Sequence, residues 1–350
     1  MNIAPARLEP IFSPRIWGAG SLAPLYPEKT NLAEPIGEAW LTARESRFAD
    51  GPYAGDTLGE AWKKMPAEWK GQSAAAFLEF PLLVKFLFPA EKLSVQVHPD
   101  DDYASRRETA AGDRGKTEMW YVVAAEPGAA VWSGLREDVT AEKFRRAIAG
   151  GKAEELVARI PVKTGDAIFC PAGTVHYIGP GMILCEIQEY SDITYRVYDY
   201  GRKGADGKPR ALHLEKAFDV IRFGKQKGGK LEPVRIRRNS IDETYFVVCQ
   251  YFAVESAEFA RELSMMKTPD FFDIQIVLDG RGTIEHSGGK HAYAPGQAWF
   301  FPAARHEYRF VAGAPTKLLR AYVPKDLDDF ARTMRDDRIA QSEWSRLVQR

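Results

Sequence analysis

The sequence predicts a mainly β protein: two double-stranded β-helix (jelly-roll) barrels, with a small helical insertion and a C-terminal helix. Three observations point there. Most apolar runs are short and bounded by Gly, Pro or charged residues, the all-β pattern. A local pattern recurs, since KTGDAIFCPAGTVH (163–176) and APGQAWFFPAARH (294–306) each read Gly-turn, apolar strand, Pro, small residue and His. Helical spacing stands out in two stretches, 138–158 and 326–350.

The first barrel takes its strands from PLLVKFLF (81–88), LSVQVH (93–98), MWYVVAA (119–125), AIFCPAG (167–173), MILCEIQEY (182–190) and TYRVYDY (194–200). Between them, DVTAEKFRRAIAGGKAEELVA (138–158) predicts a short helical insertion with Thr140 as N-cap and a Gly-Gly interruption. The Gly- and Lys-rich FGKQKGGKLEPVRIRR (223–238) reads as a connection, which divides the chain into residues 1–235 and 236–325. TYFVVCQYFAVE, FDIQIVLDG, GRGTIEHSG, QAWFFPA and TKLLRAYVP supply the second barrel. In the tail (326–350), Phe330, Met334 and Ile339 fall on one helical face and are expected to dock on the body.

Composition narrows the function classes. Lys plus Arg and Asp plus Glu are each 48, so no global field favours nucleic acid or an anionic membrane, and an anionic substrate needs a local basic cluster. No apolar stretch approaches the ~18 residues of a membrane span. MNIAPARLEP lacks the charged and apolar regions of a secretory signal. Cys170, Cys185 and Cys249 are odd in number and widely spaced, which fits a reducing cytoplasm and a role as small core residues. A cytoplasmic monomer or homodimer is expected.

Four positions have the chemistry of a metal site. Gln96 and His98 are two apart in an extended run and leave one face of a strand. Glu118 opens the next strong strand, and His176 follows a Gly-Asp turn and Pro-Ala-Gly. Imidazole nitrogens with carboxylate and amide oxygens suit a borderline divalent ion, Zn2+ first, then Mn2+, Fe2+ or Co2+. Taken alone, a QxH on a strand is more often structural, and Glu118 reads equally as a solvated strand end. What separates the readings is the ordered conjunction QVHPDDDY, GKTEMWYVV and GDAIFCPAGTVH, which matches the two halves of the cupin signature with Gln in place of the first His.

Together PLLVKFLFPAEKLSVQVHPDDDYA, GKTEMWYVV, PAGTVHYIGPG and EIQEYSDITYRVYDYGR resemble type I mannose-6-phosphate isomerase, most of all the shorter bacterial branch of that zinc-dependent cupin family. The likeness runs from LEPIFSPRIWGAG to about Tyr322. It implies one catalytic Zn2+ on Gln96, His98, Glu118 and His176 and a sugar-phosphate substrate held by Glu38, Lys85, Ser94, Lys116 and Arg196. It further implies interconversion of mannose 6-phosphate and fructose 6-phosphate through a cis-enediol, with Lys116, Arg196 and Glu186 in the chemistry. Lys116, Glu186 and Glu38 are the base candidates; Lys116 comes first, on the expectation that a nearby cation and burial lower its pKa. Arg196 suits charge stabilisation or phosphate binding, and Lys85, Lys116 and Arg196, with Arg202 behind them, are the phosphate cations. Lys85 in its apolar strand reads alternatively as snorkelling to the surface.

The second barrel offers no HxH or QxH pair in register, so it is read as metal-free, with His286, His291 and His306 ordinary. His213 reads as capping or packing. Other readings are a cupin isomerase or epimerase of another, possibly unphosphorylated, sugar, a non-catalytic sugar-binding cupin, and a metal-dependent oxygenase.

Overall fold

The computed structural model describes residues 4–108, 114–204, 207–224 and 228–349. Residues 225–227 of the expected connection and residue 350 of the tail therefore lie outside the described residues. The chain forms two pairs of antiparallel sheets. The first pair joins a seven-stranded sheet, in the order Gly229–Lys230, Ala167–Cys170, Glu118–Ala125, Met182–Glu189, Leu82–Leu87, Ile36–Trp40 and Ile11–Ala19, to a five-stranded one. That smaller sheet runs Tyr195–Tyr198, Val95–Val97, His176–Ile178, Ala130–Leu135 and Val157–Pro161. The second pair has seven and four strands, and Glu262–Lys267, His306–Ala312, Gly282–His286 and Gly289–Tyr293 make up the smaller sheet.

The two seven-stranded sheets pack against each other. Val84, Phe86, Met119, Tyr121, Cys185 and Ile187 form one core with Phe246, Ile274, Ile276, Phe300 and Leu319. Alternate residues of the same strands, among them Leu87, Trp120, Val122 and Leu184, fill the interior of the first barrel. Both faces of the first large sheet are thus buried, and all six residues of Leu82–Leu87 are buried. This explains why PLLVKFLF is apolar almost throughout instead of alternating. Lys85, its one charged residue, faces the barrel interior and is not a surface snorkel.

The helical insertion is a helix over Ala141–Ala149, capped by Thr140, whose side chain accepts from the Lys143 N–H, and a 3-10 turn over Ala153–Leu156. The tail folds as helices Leu327–Asp336 and Gln341–Trp344, with Phe330, Met334 and Ile339 in a cluster with Val248 and Tyr322. Three features differ from expectation. The stretch 223–238 is not only a connection: Gly229–Lys230 adds an edge strand to the first barrel and Val234–Arg238 enters the second. Ala6–Leu8 near the N-terminus also pairs with Ala298–Phe301 of the second barrel, so chain order and barrel membership do not coincide there. Short helices at Leu58–Lys64, Asp101–Arg107 and Leu214–Val220 add to the two helical stretches expected.

Candidate metal centre and pocket

Strand register assembles the site. Across the first large sheet, Glu118 lies opposite Gln188, Trp120 opposite Glu186, Glu186 opposite Lys85, and Lys85 opposite Trp40. Opposed residues share a face, so Glu118, Glu186 and Lys85 all point into the barrel. In the smaller sheet His176 pairs with Gln96, and Gln96 pairs with Arg196. His98 follows that strand directly, and Asp100 then caps the helix Asp101–Arg107. Two glycines hold the connecting turns close. A Cβ on Gly115 would lie 2.4 Å from the Asp101 nitrogen. Gly173, at φ +82°, donates its N–H to the His98 carbonyl at 2.8 Å.

Three donors converge at the bottom of the barrel: His98, Glu118 and His176 each offer an atom, all within 4.8 Å of one another. His98 donates Nδ1–H to the Ile193 carbonyl (2.7 Å) and His176 donates Nδ1–H to the Thr174 carbonyl (2.9 Å). A carbonyl only accepts, so each Nδ1 carries the proton and each Nε2 presents a lone pair. Burial, with help from the Lys116 charge, holds His98 well below the usual imidazole range, and burial lowers His176 to about 4. Both rings are neutral at pH 7.

The buried Glu118 carboxylate places Oε1 3.3 Å from Nε2 of His176 and Oε2 3.7 Å from Nε2 of His98, yet neither oxygen accepts a well-directed hydrogen bond. Its one ammonium or guanidinium partner among the described residues is Lys116, 2.6 Å from Oε2. Such a carboxylate, facing two neutral imidazole lone pairs, fits a divalent cation and is costly without one. Gln96 sits beside this group, with its amide nitrogen 3.2 Å from Nε2 of His176.

Above the donors opens a pocket of about 370 Å³, lined by Glu38, Lys85, Ser94, Gln96, Lys116, Glu186 and Arg196 among others. Glu38, Lys85, Ser94, Lys116, Glu186 and Arg196 are therefore in one cavity with Gln96, whereas Arg202, the further phosphate cation named from the sequence, is not among its lining residues. Lys85 lies 3.6 Å from Glu186 and 3.3 Å from Asp192. Lys116 lies 3.8 Å from Glu186, whose other oxygen accepts the Trp120 indole N–H at 3.0 Å. Burial opposes the charge of Lys116, but Glu118 and Glu186 outweigh it and hold its pKa above the ordinary lysine value. This reverses the lowered value expected from the sequence. Arg15, Asp192, Thr194 and Arg210 also line the pocket and were not singled out. Arg15 pairs with Glu38 at 2.6 Å. Arg202, named from the sequence, holds Asp199 at 2.5 Å. His213 accepts the Arg196 backbone N–H on Nδ1 at 3.1 Å, which is a packing role. His286 and His291 sit on the second barrel's smaller sheet with Nε2 atoms 3.2 Å apart, and His306 contacts Ser287 at 3.1 Å.

Beneath the site, the buried Glu189 accepts the Thr117 N–H at 2.8 Å, fixing the backbone between Lys116 and Glu118. Burial, with the charge of Asp101, pushes its carboxyl from 4.5 up to about 8. The folded state thus binds this proton more tightly than the unfolded chain, so the contribution to stability is largest at low pH and is lost as pH rises from about 4.5 to about 8. Glu189→Gln keeps the acceptor for Thr117 and removes the titration. It should raise Tm by about 2–6 °C at pH 8 and little at pH 5. An equal shift at both pH values in thermal melts would take Glu189 out of that slope.

The comparisons with known proteins follow the same lines. The family model "Phosphomannose isomerase type I, catalytic domain" matches residues 6–132, and "Mannose-6-phosphate isomerase, cupin domain" matches residues 242–323. The mannose-6-phosphate isomerase ManA of Bacillus subtilis strain 168 is 33% identical over 319 residues, covering 88% of this chain and 96% of the relative. The chain belongs to the type I mannose-6-phosphate isomerase family. The mannose-6-phosphate isomerase of Streptococcus mutans is similar too, 34% identical over 300 residues, 85% of this chain and 92% of that one. The crystal structure of the Bacillus subtilis mannose 6-phosphate isomerase superimposes with a TM-score of 0.82 at 31% identity, covering 91% of this chain and 99% of that chain. At 18% identity, the apo form from Salmonella typhimurium (TM-score 0.69, 91% and 99% covered) shares the fold. Within this family fold, the buried His98, Glu118 and His176 group is the one metal-competent cluster of three among the described residues.

Proposed function

We propose that the chain performs its family's reaction, the interconversion of mannose 6-phosphate and fructose 6-phosphate, with one divalent ion held by Gln96, His98, Glu118 and His176. The observation that carries this reading is the convergence of two neutral imidazoles on a buried carboxylate that accepts no well-directed hydrogen bond, at the base of a pocket walled by lysines, arginines and carboxylates. Zn2+ is the ion the donor set favours; one isomerase of the same fold is known bound with zinc and yttrium. Bound there, the ion would act as a Lewis acid toward the sugar's carbonyl and neighbouring hydroxyl oxygens, worth several kcal/mol to the developing enediolate.

The protein's own groups do the rest. Aldose–ketose exchange moves one proton between C2 and C1, and a positioned base contributes about 10²–10⁴-fold. Glu186 and Lys116 face each other at the pocket floor, a carboxylate to take the carbon-bound proton and an ammonium to hold or return one at oxygen. Glu38, pinned by Arg15 and the Trp40 indole, forms the opposite wall. Ser94 donates to the Gln96 amide oxygen at 3.3 Å, which orients that side chain. Lys85 and Lys116 are already engaged by carboxylates, so Arg196 is the better cation for the phosphate. No helix of the described residues is long and apolar enough to cross a membrane. A cytoplasmic setting suits a phosphorylated substrate and three buried free cysteines.

The test is elemental analysis of the purified protein, then a coupled assay with mannose 6-phosphate, glucose 6-phosphate and free mannose. Turnover of mannose 6-phosphate alone supports the reading; turnover of another substrate in its place overturns it. Arg196→Ala should keep the metal and lose about 10²-fold in kcat/KM. Kinetics matching the parent would place Arg196 outside the site.

A further inference from the structure

Charge is unevenly distributed along the pocket. At the metal end each cation has a carboxylate: Arg15 with Glu38, Lys85 with Glu186 and Asp192, Lys116 with Glu118. Elsewhere two guanidiniums, Arg202 and Arg210, bind the carboxylate of Asp199, and Arg196 lies near enough to feel the charges of all three. Arg210 binds Asp199 with two parallel contacts, Nε to Oδ2 at 2.7 Å and NH2 to Oδ1 at 2.5 Å. Arg202 takes the same carboxylate at 2.5 Å and the Lys92 carbonyl at 2.6 Å, which ties the group to the strand-flanking turn. Arg196 has no carboxylate partner among the described residues. Its NH1 donates to the Ala211 carbonyl at 3.0 Å, and its buried Nε has no acceptor. Arg196 and Arg210 both line the pocket, whereas Asp199 is buried behind them.

We propose that Arg210 is a second phosphate-binding residue beside Arg196, held in place by Asp199, so that this part of the pocket selects phosphorylated over unphosphorylated sugars. The inference rests on the sugar-phosphate reading given above. A phosphate monoester carries a charge of about −1.5 to −2 at pH 7 and offers three acceptor oxygens. Three guanidiniums against one carboxylate leave the matching excess of positive charge, and the bidentate grip of Asp199 on Nε and NH2 leaves NH1 of Arg210 for an oxygen. Burial, with repulsion from Arg210 and Arg202, lowers the Arg196 pKa, as expected where like charges await an anion. Asp199 acts through Arg210 and is a positioning residue.

Calorimetric binding of mannose 6-phosphate and of inorganic phosphate to the metal-loaded protein, alongside steady-state kinetics, tests this. Arg210→Met should weaken both ligands by about 10–100-fold and raise KM with a smaller change in kcat. Arg210→Lys, which keeps the charge but not the fork, should lie between, and Asp199→Asn should raise KM with metal content unchanged. Arg210→Met or, where that variant does not fold, Arg210→Lys binding both ligands within about twofold of the parent overturns the proposal. A parent that binds phosphate through Arg210 yet turns over no mannose 6-phosphate overturns the isomerase reading instead and leaves the anion site standing.

Discussion

Replacing His176 by alanine is expected to remove the metal and the activity in one step. The imidazole is held from behind by the Thr174 carbonyl, and its Nε2 faces the Glu118 carboxylate at 3.3 Å and the Gln96 amide at 3.2 Å. The adjacent Cys170 thiol lies on the other side of the ring, 3.3 Å from Nδ1, and not at the Nε2 lone pair. With one donor gone the shell opens on the side where the imidazole packs against the buried Trp120. Losing a Lewis acid worth several kcal/mol corresponds to roughly 10³-fold or more in kcat. Mass-spectrometric metal content should fall from about one ion per chain to a small fraction of it. His306→Ala is the matched control: that imidazole is on the second barrel, touches only Ser287 and Tyr308 among the described contacts, and should leave metal and turnover within about twofold. Full activity in metal-free His176→Ala protein would sink the metal mechanism.

The donors were legible because each sits in a short pattern whose physics is local. Two residues apart on a strand share a face, and Pro-Ala-Gly before His176 needs Gly173, where an added Cβ would lie 2.8 Å from the Val220 carbonyl. The rest of the pocket wall was harder to see because its residues meet through the fold. Arg15 lies in a strand whose register shifts between Ser13 and Pro14 and again before Ala19, so period-two reasoning does not place its side chain. Asp192 reaches Lys85 across 107 residues, and Arg210 reaches Asp199 from a segment without regular structure. The helix Leu58–Lys64 did have a sequence signal, the capping box of Thr57 and Glu60, but at seven residues it shows too few apolar repeats to register as periodic. Composition misled at 223–238, where Gly and Lys suggested a pure connection although long-range pairing makes a strand of Gly229–Lys230 and a hairpin makes one of Val234–Arg238. The sign of the Lys116 shift also needed coordinates: burial alone lowers a lysine, and only the distances to Glu118 and Glu186 show that the carboxylates win.

Those same distances give Lys116→Met the second large expected effect, on two separable axes. Lys116 is buried, lies 2.6 Å from Glu118 and 3.2 Å from Nε2 of His98, and shares Glu186 with Lys85. As the ammonium that serves proton transfer, its loss should lower kcat by about 10²–10⁴-fold while metal binding persists. Removing it also strips a buried carboxylate of its one ammonium or guanidinium partner among the described residues, which typically costs about 3–5 kcal/mol. A divalent ion on Glu118 supplies that compensation itself. The destabilisation should therefore appear as a lowered Tm in chelator-treated protein and shrink when Zn2+ is restored, whereas the catalytic defect should not recover. Lys116→Arg separates charge from proton chemistry: a guanidinium restores the ion pair and stability but does not deprotonate, so it should not restore turnover if the amine must cycle its proton. A change confined to KM would make Lys116 a phosphate anchor instead, and a metal-loaded Lys116→Met enzyme with kcat within about tenfold of the parent would leave Glu186 to act without it.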